Sequence, residues 1–318
     1  MELRRSAFRL FLIALPFIVV LGLVYLVDPY AMFHTGGPIP EQLKRKNLNQ
    51  SGRTMPFSNL MWKLLEFRRD PADRILLGDS RLSRFDLDHL ERRSGERYFN
   101  FGVPGGNYRT IRDLFFYADS LADLKEVVIQ VSFLRMNDDM KGDLFQEPHA
   151  LAGSALLYLT NRRVLEATAL NLIASLAPLL LAYDELPEDH WEKVANKARK
   201  ELAHFAVNEA IYTVLEEIAV HCEDQGIDLL LVQYPVHPQL REIYLQAGLD
   251  REREAYNERL SSIGRYMDLD QPGSFPSDRE LWRDPLHLTE ALQRMVVDAV
   301  WKKGVGQGKE PAIQLTAP

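Results

Sequence analysis

The stretch Arg74-Ile75-Leu76-Leu77-Gly78-Asp79-Ser80-Arg81 decides the fold. A short apolar run closed by glycine reads as a buried strand, and the glycine permits a sharp turn at its end. Similar runs recur downstream at 97–101, 126–131, 227–234 and 266–269, which are the second to fifth expected strands. Helical patterns separate them. Asp88 and Glu91 have capping-box spacing ahead of the turn at Ser94-Gly95. Further helices are expected over 111–121, 202–225, 251–263 and 290–302. Strands alternating with helices imply a parallel sheet covered on both faces. The expected class is α/β, a three-layer α/β/α sandwich.

Composition bounds what this sandwich does. The chain has 318 residues, 46% of them apolar and 26% charged, which leaves little room for a mainly disordered or fibrous protein. A net charge of −7 argues against a nucleic-acid partner recruited by a global positive field. One cysteine, Cys222, excludes an internal disulfide framework and a Cys-rich zinc site. A mean hydropathy of −0.21 excludes a polytopic membrane protein, but an average hides a single span.

Residues 10–27, LFLIALPFIVVLGLVYLV, carry no charge and are long enough nearly to cross a ~30 Å hydrocarbon core. Arg4, Arg5 and Arg9 precede the run, so residues 1–9 read as a cytoplasmic tail and the body as exported. No clear small-residue cleavage site follows, which favours an uncleaved signal anchor over a cleaved signal peptide or a buried core helix. A single-pass protein of the inner (cytoplasmic) membrane is expected, its body in the periplasm or outside the cell. Residues 28–70 read as a juxtamembrane linker, extended to about 58, followed by a helix over 61–69. The domain is expected over 71–303, with a helical insertion at 140–205, and a disordered tail over 304–318. Within the insertion, 167–183 is apolar and contains Pro178. It reads as a buried helix pair, a face docked on the bilayer or a membrane partner, or a second span.

Three stretches fall at strand ends, where open α/β sheets carry their sites. The first puts Ser80 at the mouth of a helix, where backbone N–H groups favour negative charge. The second is Asn100-Phe-Gly-Val-Pro-Gly-Gly-Asn107, whose glycines let backbone approach a substrate closely. The third is Trp282-Arg-Asp-Pro-Leu-His-Leu288, with Asp284 and His287 three apart on one side of a turn. A serine hydroxyl needs a base, and the base needs a carboxylate to fix its tautomer and stabilise the imidazolium. Ser80, His287 and Asp284 supply those types; the bland readings are a capping serine, a surface histidine and a helix-capping aspartate. Arg81 is either an anion-binding group or a salt-bridged arginine. His89 with Asp86 and Asp88 is explained by helix entry without a metal, and His237 reads as a loop histidine. HExxH, a Walker A loop and G-x-S-x-G are absent, the last because position 82 is leucine. No metal or cofactor is expected.

These motifs resemble the SGNH (GDSL) hydrolase superfamily over roughly residues 72–300, which implies an SGNH/flavodoxin-like sandwich. Leu77-Gly-Asp-Ser80 is similar to its nucleophile block, Asn100-x-Gly-x-x-Gly105 to its second block, and Asp284-x-x-His287 to its last. The resemblance implies catalysis by Ser80, Asp284 and His287, with backbone near Ser80 and Gly105, together with Asn137, as oxyanion donors. The third block departs: the family's Gly-x-Asn-Asp is absent, and Asn137 is the nearest match, about two residues late. The anchor, the diverged third block and the insertion resemble membrane-anchored SGNH proteins of polysaccharide O-acetylation or teichoic-acid D-alanylation. That implies a serine acyltransferase or esterase acting on O-acyl groups of an envelope or extracellular polysaccharide. Its implied partners are an acylated polysaccharide or acyl donor and a membrane-bound O-acyltransferase. The alternative is a catalytically weak or inactive glycan- or partner-binding assembly protein on the same fold.

Overall fold

The computed structural model describes residues 2–33, 36–49, 54–83, 85–176 and 188–301. The expected disordered tail 304–318 and part of the apolar stretch, 177–183, lie outside the described residues. In chain order the described elements begin with helices α1 (Glu2–Val27), α2 (Glu41–Asn49) and α3 (Phe57–Arg69). Strand β1 (Arg74–Gly78), α4 (Leu87–Ser94), β2 (Phe99–Gly102), α5 (Tyr108–Asp119) and β3 (Glu126–Val131) follow. Next come α6 (Gln146–Gly153), α7 (Ala155–Thr160), α8 (Arg162–Leu176), α9 (His190–Leu202) and α10 (Glu209–Gln225). The chain continues through β4 (Asp228–Gln233), α11 (Pro238–Gln246), α12 (Asp250–Ile263), β5 (Arg265–Asp268) and α13 (Glu290–Val300). These elements form two compact units, Met1–Arg69 with Leu144–Glu185, and Asp70–Asp143 with Leu186–Pro318.

The first unit is helical. Within α1, Arg4–Val27 is long and apolar enough to cross a membrane, a description that a signal sequence near an N-terminus also meets. The stretch after it is not the extended linker its prolines and glycines suggest. Asp28 is fully buried, and its carboxylate accepts from Met32 N–H, Phe33 N–H and the Tyr158 hydroxyl, each at 2.9 Å. Lys44 of α2 donates to the Asp28 carbonyl at 3.0 Å, and Asn47 donates to Asn171 of α8 at 3.1 Å. Partners more than a hundred residues away therefore fold this segment, which is why local composition misreads it.

The second unit is the expected sandwich. Its five strands are all parallel in the order β2-β1-β3-β4-β5. Successive strand residues point to opposite faces. Leu76, Val128, Leu230 and Val232 join Leu90 of α4 and Leu292, Val296 and Val297 of α13 in one core. On the other face α5, α10 and α12 pack on β1, β4 and β5. Burial on both faces explains why the central strands β1, β3 and β4 read as continuous apolar runs rather than alternating ones. The order reverses between β1 and β3, and such switch points carry sites at the strands' carboxyl ends.

Several boundaries differ from expectation. The helix after β1 starts at Leu87 with Asp86, not Asp88, as its cap: Asp86 accepts from His89 N–H. The helix expected over 202–225 breaks, because Asn208 caps α10 while its N–H and side chain donate to the carbonyls of Met136 and Asp138. Helix α11 was not anticipated; Pro238 opens it and the His237 ring caps it. The region 140–205 is not one insertion either, since Leu144–Glu185 belongs to the first unit and α9 to the second.

Candidate active site

Ser80 lies two residues past β1, in tight turns rather than at a helix N-terminus. Leu82 N–H donates to the Asp79 carbonyl at 3.2 Å and Ser83 N–H to the Ser80 carbonyl at 3.3 Å. Helix α4 begins only at Leu87, so its dipole is not what favours charge at Ser80. Three buried groups hold the turn instead. Asn100 on β2 donates to the Leu82 carbonyl at 2.7 Å and accepts from Gly102 N–H at 2.6 Å. Gln130 on β3 accepts from Asp79 N–H at 3.2 Å and donates to the Asp79 carboxylate at 3.2 Å. Gly102 completes the fit: a Cβ there would sit 2.7 Å from Leu82 C and Ser83 N, so only glycine lets β2 approach this backbone.

Arg81 is a structural ion-pair partner, not a substrate-facing cation. It is 2% exposed, and its guanidinium donates to Asp79 at 3.1 and 2.8 Å. Burial alone would push the Asp79 carboxyl up, but the Arg81 charge and its hydrogen bonds hold it well below the usual carboxylate range. The pair pins the residues on either side of Ser80.

The structure brings Ser80, His287 and Asp284 into one chain of hydrogen bonds. Ser80 Oγ lies 2.8 Å from His287 Nε2, and His287 Nδ1 lies 2.7 Å from Asp284 Oδ2. Asp284 is 3% exposed, and its other oxygen accepts from Leu286 N–H at 2.8 Å and His287 N–H at 2.9 Å. One oxygen thus shapes the Asp284–His287 turn while the other addresses the imidazole, so capping and orienting are both carried by one side chain. Burial pushes its carboxyl up, but hydrogen bonding and charge from His287 and the two backbone N–H groups bring it down to about 2. An ionised carboxylate only accepts, so His287 Nδ1 carries the proton and Nε2 is free to take one from Ser80.

His237 supports this loop from outside the triad. Its N–H donates to the Pro285 carbonyl at 3.0 Å, its Nδ1 accepts from Gln239 N–H, and its Nε2 donates to the Ser277 carbonyl. Burial lowers its pKa, consistent with a neutral capping role. His89 pairs with Asp298 at 3.3 Å.

Among the described residues no hydrogen bond joins Gly105 or Asn137 to Ser80. Gly105 is exposed with φ +74°, a conformation that glycine tolerates, and among the described residues its N–H has no hydrogen-bond partner. The Asn137 side-chain amide donates to the Glu201 carbonyl at the end of α9, at 3.3 Å. Sequence reasoning missed Asn100 and Gln130 as braces of the turn, and it missed His190, whose Nε2 lies 3.1 Å from Asp284 Oδ2. Both braces lie within the expected strands 97–101 and 126–131, but their partners are set by strand order. His190 sits 94 residues from Asp284 and carries no local spacing signal.

No protein-family model matches the chain, and no curated protein matches it. Solved structures with a similar course include a Streptococcus pneumonia chain named for platelet activating factor, at 14% identity and TM-score 0.37. That match covers 81% of this chain and 94% of the other. An acetyl xylan esterase, AlAXEase, is similar at 14% identity and TM-score 0.34, over 73% of this chain and 98% of its own. At these values neither similarity defines a family or a substrate for this chain.

Proposed function

We propose that this chain is a serine hydrolase or acyltransferase of SGNH type that works on ester-linked acyl groups. The observation that carries the reading is the continuous chain Ser80 Oγ–His287 Nε2 (2.8 Å) and His287 Nδ1–Asp284 Oδ2 (2.7 Å). Ser80 Oγ attacks the acyl carbonyl carbon while His287 Nε2 takes its proton. The alcohol leaves with that proton, and water or an acceptor hydroxyl then resolves the acyl-Ser80 ester by the same route in reverse. The N–H groups of Ser80 and Gly105 are the proposed oxyanion donors. A donor of this kind contributes about 3 kcal/mol of barrier lowering.

The proposed setting is a single-pass protein of the inner membrane, its sandwich exported, acting on O-acyl, chiefly acetyl, groups of an envelope polysaccharide beside a membrane-bound O-acyltransferase. The buried end of α1 favours an uncleaved anchor. Val24 and Val27 are at most 2% exposed, so cleavage nearby would strip packing from the first unit.

Fluorophosphonate labelling followed by intact mass tests the nucleophile. One adduct is expected on wild type and none on Ser80→Ala; an adduct that persists in Ser80→Ala overturns the assignment. Acceptor competition separates the two reaction types, because transfer leaves product on the glycan and hydrolysis leaves free acid. The engagement of Asn137 with Glu201 favours a second reading, an SGNH-type glycan-binding protein with weak or absent catalysis. Tight binding of acetylated oligosaccharide by a protein inert to activated esters would decide for it.

A further inference from the structure

Asp284 Oδ2 faces two imidazoles. His287 Nδ1 approaches at 2.7 Å and His190 Nε2 at 3.1 Å, while Oδ1 is occupied by the N–H groups of Leu286 and His287. An ionised carboxylate cannot donate, so both ring nitrogens must present N–H to the same oxygen. The carboxylate therefore accepts four hydrogen bonds, three of them within its own turn. The fourth comes from the first residue of α9.

That residue is firmly mounted. The neighbouring Trp191 is buried, donates to Gln239 of α11 at 2.7 Å, and meets the His237 ring edge-on with centroids 5.0 Å apart. The Arg279 guanidinium lies 4.3 Å from the Trp191 ring centroid. His237 in turn holds the Pro285 carbonyl, so α9, α11 and the Asp284–His287 turn are tied together. Among the described residues, the ionisable groups on the elements packed near His190 include Asp284 and His287 in that turn, Arg279 beside Trp191 and Glu188 just ahead of α9. From α11 and its cap come His237 and Arg241, the latter bound to Asp270. From its own helix end come Glu192 and Asp189, which pairs with Lys193 at 2.8 Å.

We propose that His190 is a positioning residue for the His287–Asp284 pair, acting through its hydrogen bond to Asp284 Oδ2. The inference rests on the Ser80–His287–Asp284 reading. Its N–H holds Oδ2 on line with His287 Nδ1 and draws electron density from the carboxylate. Whether neutral or protonated, His190 makes the carboxylate a weaker acceptor for His287, and so makes His287 a weaker base. Losing it therefore raises the basicity of the catalytic imidazole while loosening its orientation.

The test uses full-length protein and the rate of fluorophosphonate labelling at Ser80 across pH, for wild type, His190→Ala and His190→Gln. His190→Ala should label roughly tenfold more slowly at its plateau, the order expected for one hydrogen bond to a charged group. The acid limb of its profile should move to higher pH. His190→Gln, which keeps an N–H donor, should recover most of the rate and the original limb. Equal labelling and an unmoved limb in His190→Ala overturn the proposal, as does an equal fall in both variants with no movement of the limb. Failure of wild type to label at Ser80 removes the triad reading itself and the proposal with it. A second measurement needs no activity: Asp284→Asn should shift the ring-nitrogen resonances of both His190 and His287. A shift of His287 alone means the contact to His190 is not there.

Discussion

At the scale of single residues, Asp284 shows how one side chain serves two ends. Its Oδ1 closes the turn and its Oδ2 orients His287, so replacement should separate the two roles. Asp284→Asn keeps a cap acceptor but presents the wrong partner to Nδ1, and a fall in ester turnover of about 10⁴-fold is expected. Its effect on stability has a defined sign. The carboxyl is depressed from 3.8 to about 2, so its contribution is full above the unfolded value and lost as pH falls through the folded one. Melting temperature measured from pH 5 downwards should therefore decline less steeply between about 4 and 2 in Asp284→Asn than in wild type. Arg81 is a contrasting case, a charged neighbour of Ser80 whose work is structural. Removing it strands Asp79 in a buried site, and Arg81→Ala should cost about 3–5 kcal/mol in denaturant unfolding.

At the scale of elements, the site depends on how closely β2 approaches the turn after β1. Gly102→Ala would drive a methyl to 2.7 Å from the backbone of Leu82 and Ser83. The turn has no flexible side chain there to yield, so the variant should lose about 1–3 kcal/mol of stability. Labelling at Ser80 should fall with it, read on folded protein below the melting transition. Strands β1, β3 and β4 were legible because each carries an apolar run, and β3 runs Glu126–Val131 as read from the sequence. Caps and breaks were less legible. Asp86 and Asp88 are both plausible caps by type, and only the path of the turn selects Asp86. Likewise the apolar period runs through 202–225, and the break at Asn208 comes from bonds to Met136 and Asp138, far away in sequence.

At the scale of the whole molecule, the chain passes more than once between a helical unit bearing the apolar α1 and the sandwich bearing the triad. The buried Asp28 network shows that the segment after α1 is folded structure. Asp28→Ala leaves Tyr158 and two backbone N–H groups without their acceptor, and a loss of about 3 kcal/mol is expected from a buried charged hub. Limited proteolysis should then cut first within 28–69 and 144–185 and later in the sandwich. The proposed anchor makes a separate prediction: after alkaline carbonate extraction the chain should remain in the membrane pellet with an intact-mass N-terminus. Release as a species lacking α1 would identify a cleaved signal instead.

Sequence alone determined the five strands, the α/β class, the apolar N-terminal helix and the residues Ser80, Asp284 and His287 as a set worth joining. The strands, the class and the helix are written in local periodicity, whereas Ser80 and the closely spaced Asp284–His287 pair were joined by residue type and by their place at strand ends. Only the tertiary structure decided that Ser80 stands in a braced turn, that Arg81 is buried, that 28–33 and 36–49 are folded and that His190 reaches Asp284. All four depend on contacts between segments far apart in sequence, which strand order and helix packing bring together and local pattern does not encode.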